Sequence, residues 1–172
     1  MQFCGEGIKA KMELQGIIDI MGLVPLPVEG GMFRQTYVSE VLYDGRPMGT
    51  AIYYLLSADA YSHLHLLDAD EVYHFYLGDP VELYQLDNDG NLSLTILGQD
   101  IMSGQQVQTT VPEGVWQGSR LAAGGKWALL GTTMSPGYLD SGYTHADGAE
   151  LAFRYPQHAE IIRSLTGEAR FY

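Results

Sequence analysis

Apolar and polar positions alternate in short runs along most of the chain, and few runs are long. The segments 32–43, 50–56, 63–67, 72–77, 81–86, 92–97, 106–111, 118–121 and 126–134 read as β-strands. Turn residues separate them. Tyr43-Asp44-Gly45-Arg46 and Asn88-Asp89-Gly90-Asn91 carry the Asp-Gly pair that supplies positive φ in tight hairpins, and Gly78-Asp79-Pro80 is a further reversal. Consecutive strands are therefore expected to pair antiparallel. So many short strands favour a sandwich or a barrel, because closure removes exposed edges. The period changes at both ends. Leu14, Ile17, Ile18 and Met21 have the spacing of a short amphipathic helix over 13–21, ended by Gly22 and Pro25. Segment 149–165, with Leu151, Phe153, Ile161, Ile162 and Leu165 around Pro156, predicts a helical turn followed by a C-terminal helix.

Composition narrows this picture. A chain of 172 residues fits one domain, expected over 12–172 behind a loose leader, 1–11. Hydrophobic residues make up 46% and charged residues 17%, a globular balance, and 21 glycines suit a turn-rich β fold. Nine basic residues against 21 acidic ones leave a net charge of -12, which repels phosphate backbones and anionic membranes. Neither nucleic acid nor membrane is an expected partner. The lone Cys4 has no partner for an internal disulfide and no acid–base residue near it in sequence, so it reads as an inert thiol. No apolar run is long enough for a signal peptide or a membrane span, and the expected location is cytoplasmic.

The candidate chemistry gathers in 62–78. On a regular strand His63 and His65 project from one face, because side-chain direction repeats every second residue. Glu71, at the start of the next strand, can add a carboxylate to the two imidazoles, the facial set that holds a divalent metal with open positions. The alternative is a pair of barrel-lining histidines satisfied by hydrogen bonds.

His-x-His, an acidic residue shortly after and Gly78 seven residues beyond Glu71 resemble the first cupin motif. Val111-Pro112-Glu113-Gly114-Val115-Trp116-Gln117 resembles the second, with Gln117 where cupins usually carry His and with Ser57 and Gln106 where glycines usually open the motifs. More specifically, the chain is similar to the small single-domain cupin-5 group of uncharacterised function. Further carrying segments are Glu29-Gly30-Gly31-Met32-Phe33-Arg34, Thr50 through Leu56, Leu97-Gly98 and Ser135-Pro136-Gly137-Tyr138. The resemblance covers about 14–165. It implies an all-β fold, an antiparallel double-stranded β-helix or jelly-roll cupin barrel, with a short N-terminal and a C-terminal helix. It also implies an interior pocket, a homodimer and similarity to sugar-nucleotide epimerase barrels.

Two functions follow as expectations. One is an enzyme on a polar metabolite such as a sugar derivative or organic acid. In its metal form His63, His65, Glu71 and Gln117 hold one divalent ion. In its metal-free form His65 is the base, Glu71 orients or charges it, and Tyr54 or Tyr73 donates the proton. The other is a non-catalytic module that binds or senses a metabolite. Tyr73, Phe75 and Trp116 are candidates to stack on a ligand, with core filling as their plain alternative. Arg34 either holds an anionic ligand from inside the barrel or forms a surface salt bridge. His74, out of phase with Glu71 and Tyr73, is expected to face outward, and His145 reads as a solvent-exposed residue or a mobile lid residue.

Overall fold

The structure, a computed structural model, describes residues 13–168, 170 and 171; the expected leader and Cys4 lie outside them. The first element is helix α1, 13–21. The strands are β1 (Val24–Pro25), β2 (Met32–Val38), β3 (Leu42–Tyr43), β4 (Arg46–Pro47), β5 (Thr50–Ser57), β6 (Tyr61–Leu67), β7 (Glu71–Gly78), β8 (Val81–Leu86), β9 (Leu92–Leu97), β10 (Gln108–Val111), β11 (Trp116–Leu121), β12 (Trp127–Met134) and β13 (Tyr143–His145). Helices α2 (Gly148–Arg154) and α3 (Ala159–Ser164) follow, separated by a 3-10 turn at Pro156. No helix among the described residues is long and apolar enough to cross a membrane.

The strands form two main antiparallel sheets, ordered β1-β2-β5-β12-β7-β10 and β13-β6-β11-β8-β9. Strand alternation explains how they face each other. On β5, Tyr54 and Leu56 join the inner core with Tyr73, Phe75, Val81, Leu83 and Leu130, while Leu55 between them packs outward against α1 through Ile18 and Leu23. On β8, Val81 and Leu83 turn in, and Tyr84 and Leu86 turn out beneath Leu151, Tyr155 and Ile162 of the C-terminal helices. Each sheet is thus apolar on both faces at its centre and is backed by a helix. This is the expected β-barrel with terminal helices.

Several boundaries differ from those read in the sequence. The expected strand 32–43 ends at Val38, and Leu42–Pro47 forms its own hairpin around Asp44-Gly45. Strand β11 begins at Trp116, two residues earlier than expected, and β13 is an additional edge strand. The loop before β2 packs against the barrel end. Gly30 and Gly31 have φ of 95° and 70°, and a Cβ on Gly30 would meet the Tyr61 and Arg170 carbonyl oxygens at 2.6 and 2.9 Å. That close approach brings Glu29 to the barrel.

Candidate ligand site in the barrel

Four strands and one loop deliver the polar interior. β7 is the most regular contributor: Glu71, Tyr73 and Phe75 are buried inward, while Val72 and His74 face the other way. His74 meets Thr133 there, at 3.1 Å, as its phase predicts. β11 contributes Gln117, whose Nε2 donates to Glu71 Oε2 at 3.0 Å. β6 contributes His65, which pairs with Gln117 across the strands. β13 lays Tyr143 on the His65 ring, with centroids 5.0 Å apart and planes 18° apart. The loop before β2 contributes Glu29, which accepts from the Ser62 hydroxyl at 2.8 Å.

A bulge separates the two histidines expected to act together. Gln117 stands opposite His65 and Ser119 opposite Ser62, so β6 spends three residue steps where β11 spends two. The extra residue breaks the two-residue period. Ser62 and His65 therefore both turn in, while Leu64 packs under the C-terminal helices. His63 faces a groove of about 460 Å³ beside these helices, lined also by His145, Asp147, Arg163 and Gly167. Its ring lies 3.7 Å from that of His145. Both ring nitrogens are engaged: Gly167 N–H donates to Nε2 at 2.9 Å, so Nδ1 carries the proton and donates to the Leu64 carbonyl at 3.2 Å. His63→Ala is accordingly expected to leave the Gly167 amide without its acceptor and to speed its hydrogen exchange about tenfold. Amide exchange followed by NMR measures this.

His65 is held differently. Its Nδ1 lies 2.7 Å from the His63 carbonyl oxygen, which can only accept, so Nδ1 carries the proton and Nε2 presents a lone pair. Burial lowers its pKa and the Glu71 charge partly offsets this, so the ring is neutral near pH 7. Both interior carboxyls are pushed the other way. Glu29 is raised from 4.5 to about 7, chiefly by burial, with the hydrogen bond from Ser62 pulling it back. Glu71 is raised by burial and by Glu29, against its attraction to His65 and its bonds with Thr132 and Gln117. Three buried polar atoms here lack partners among the described residues, Gln117 Oε1 and the hydroxyls of Ser119 and Tyr143.

The remaining expected site residues divide. Tyr54, Tyr73 and Phe75 are buried in the inner core, and the Tyr54 hydroxyl donates to the Gly30 carbonyl at 3.0 Å. Trp116 does not face the site. Its neighbour Gln117 turns in, so alternation sends Trp116 out against the cluster beneath α2 and α3. Arg34 does not face it either; it stands opposite Tyr53 on the outer face with its guanidinium 5.3 Å from that ring, and it forms no salt bridge among the described residues. His145 is exposed, on a paired strand rather than on a free lid. Sequence reasoning missed Glu29, Ser62 and Tyr143. For Glu29 a signal existed, an acidic residue directly before a Gly-Gly pair that needs close backbone contact. Tyr143 offered none.

The family model described as Cupin superfamily (DUF985) matches residues 15–146. The chain belongs to the cupin superfamily, in this family of unknown function. Two solved structures resemble it over nearly their whole length. A protein from Shewanella oneidensis is 33% identical, with a TM-score of 0.84, covering 88% of this chain and 96% of its own. A hypothetical protein from Leishmania major is 29% identical, with a TM-score of 0.84, covering 90% and 98%. Oxalate decarboxylase shares the fold at 15% identity and a TM-score of 0.55, covering 85% of this chain and 38% of its own. No curated protein matches the chain in sequence. The Bacillus subtilis oxalate decarboxylase has Mn(II) centres, so the cupin fold raises the question of a metal here. The donor set does not fit one. His63 has both nitrogens committed and faces the groove, and no three His, Cys, Asp or Glu side chains among the described residues converge as a metal site.

Proposed function

We propose that the barrel interior binds a small polar molecule and moves a proton on it. One observation carries this reading: the buried, neutral His65 presents its Nε2 lone pair in the same interior as a carboxyl, Glu29, whose pKa is about 7. A base and an acid that both exchange protons near neutral pH are what general acid–base catalysis requires. His65 is the base, and the His63 carbonyl fixes its tautomer. Glu71, held by Gln117, raises the basicity of the imidazole. Glu29 supplies the acid in place of Tyr54, whose hydroxyl proton is already committed to Gly30.

The test is solvent-deuterium exchange at carbons next to a carbonyl, with dihydroxyacetone, fructose and aminoacetone as probes. Exchange by the wild type at one of them, reduced about a hundredfold in His65→Gln and in Glu29→Gln, is the expected result. Shifts of the His65 ring signals without exchange would replace catalysis by simple binding. Neither shifts nor exchange would refute both.

We also infer that the protein acts as a homodimer. Tyr37, Val38, Val41, Leu42, Tyr43 and Met48 leave an exposed apolar surface on β2 and the β3–β4 hairpin, which supports a second copy docking there. Light scattering at micromolar concentration is expected to give twice the chain mass. Tyr43→Glu is expected to shift that mass toward the monomer.

A further inference from the structure

The interior is rich in groups that accept hydrogen bonds, and no cation among the described residues stands in it. Glu71 and Gln117 are 7% and 1% exposed, and the Glu29 carboxyl reaches the fully buried Ser62. In their ionised form the Glu29 and Glu71 carboxyls only accept, as do the unpartnered Gln117 Oε1 and, with Nδ1 committed, His65 Nε2. The buried hydroxyls of Tyr143 and Ser119, also unpartnered, can serve either role.

The positive side chains are elsewhere. Among the described residues no Lys or Arg is buried. Arg34 lies over Tyr53, Arg46 pairs with Asp68 at 2.8 Å, Arg120 pairs with Glu82 at 2.9 Å and Arg154 lies over Tyr155. Arg163 lines the outer groove, and Lys126 and Arg170 are exposed. An anionic ligand in the barrel would thus lie near two carboxyls, with no guanidinium or ammonium among the described residues to receive it. Each further negative charge there is unpaired in a low dielectric, the costly arrangement.

We infer that the ligand of the barrel is an organic amine bound as its ammonium, rather than an organic acid or a phosphorylated sugar. An ammonium brings three donors and no acceptor, the complement of Glu29, Glu71 and the orphaned Gln117 Oε1. Its charge pairs with the ionised carboxyls, which no cation among the described residues does. The Tyr143 ring, stacked on His65, adds an aromatic face of the kind that attracts cations. The inference rests on the barrel interior being the ligand site, as proposed above.

The experiment compares matched probes on EDTA-treated protein, following the His65 ring signals by NMR titration. The probes are glucosamine, glucose and glucose 6-phosphate, together with ethanolamine, ethylene glycol and glycolate. The amine of each set is expected to bind at least tenfold more tightly than the neutral member, with no binding by the anion. Glu29→Gln and Glu71→Gln are each expected to reduce the amine preference below threefold, and Gln117→Glu to increase it. Thermal melting verifies that each variant is folded. Equal or tighter binding of neutral or anionic probes overturns the inference and leaves the barrel as the ligand site. An amine preference that survives both glutamine variants, or that appears only after adding Mn or Zn, also overturns it. No shift of His65 with any probe removes the inference and the interior site together.

Discussion

Glu29→Gln is expected to stabilise the protein by about 3 kcal/mol at pH 8 and to leave its stability at pH 4 nearly unchanged. Burial raises the Glu29 carboxyl from 4.5 to about 7. Between these values the folded chain keeps a proton that the unfolded chain has released. Stability from this group is therefore complete below pH 4.5, falls as pH rises, and is lost above about pH 7. The amide, uncharged at every pH, keeps an oxygen for the Ser62 hydroxyl and removes the dependence. Glu71, also raised, acts in the same direction in both proteins. His65, lowered by burial, acts oppositely: it favours the fold above its ordinary value and withdraws that support as pH falls. Removing the Glu29 charge also relieves part of the rise in Glu71, which adds to the gain at pH 8. Urea unfolding at pH 4, 6 and 8 measures it. A variant less stable than the wild type at pH 8 would mean that the folded protein holds Glu29 ionised and well partnered.

Leu130→Ala is expected to cost about 3 to 5 kcal/mol, a cavity rather than a surface effect. Leu130 is fully buried on β12, opposite Tyr54 of β5 and Phe75 of β7. These flat rings sit on paired strands and cannot collapse into the space left behind. The urea midpoint should fall with little change in slope, because the surface exposed on unfolding is nearly the same. Leu94→Ala, at a residue 50% exposed on the edge strand β9, gives the comparison and should cost less than about 1 kcal/mol. A small loss at Leu130 would show that this level of the barrel is loosely filled.

The fold was readable because its signals are local. Alternation on β7 places Glu71, Tyr73 and Phe75 inside and His74 outside without reference to any partner strand. The Asp44-Gly45 and Asp89-Gly90 turns are equally self-contained. The errors came where the answer depends on a neighbouring strand. His63 and His65 keep a two-residue spacing in the sequence, but the bulge exists only in the pairing with β11. Trp116 and Gln117 cannot both face inward on one strand, a conflict concealed by starting that strand at Gly118. Arg34 follows the same logic, since its inward neighbour Phe33 packs against the inner core. Glu29 lay in a recognisable motif, yet only the tertiary approach of β6 gives its carboxyl a buried partner.

The bulge also ties distant parts of the chain into one seam. The His63 amide donates to Glu29 O at 2.7 Å, the Leu64 amide to Leu165 O at 2.8 Å, and the Gly31 amide to Arg170 O at 2.8 Å. With the Gly167 bond to His63, the tail after α3 is stitched both to β6 and to the loop that carries Glu29. Leu165, Gly167 and Arg170 therefore act as a structural clasp. Altering the segment around Arg170 would remove one of the bonds that hold the Glu29 loop, so a change there would reach the acid inside the barrel without touching any strand.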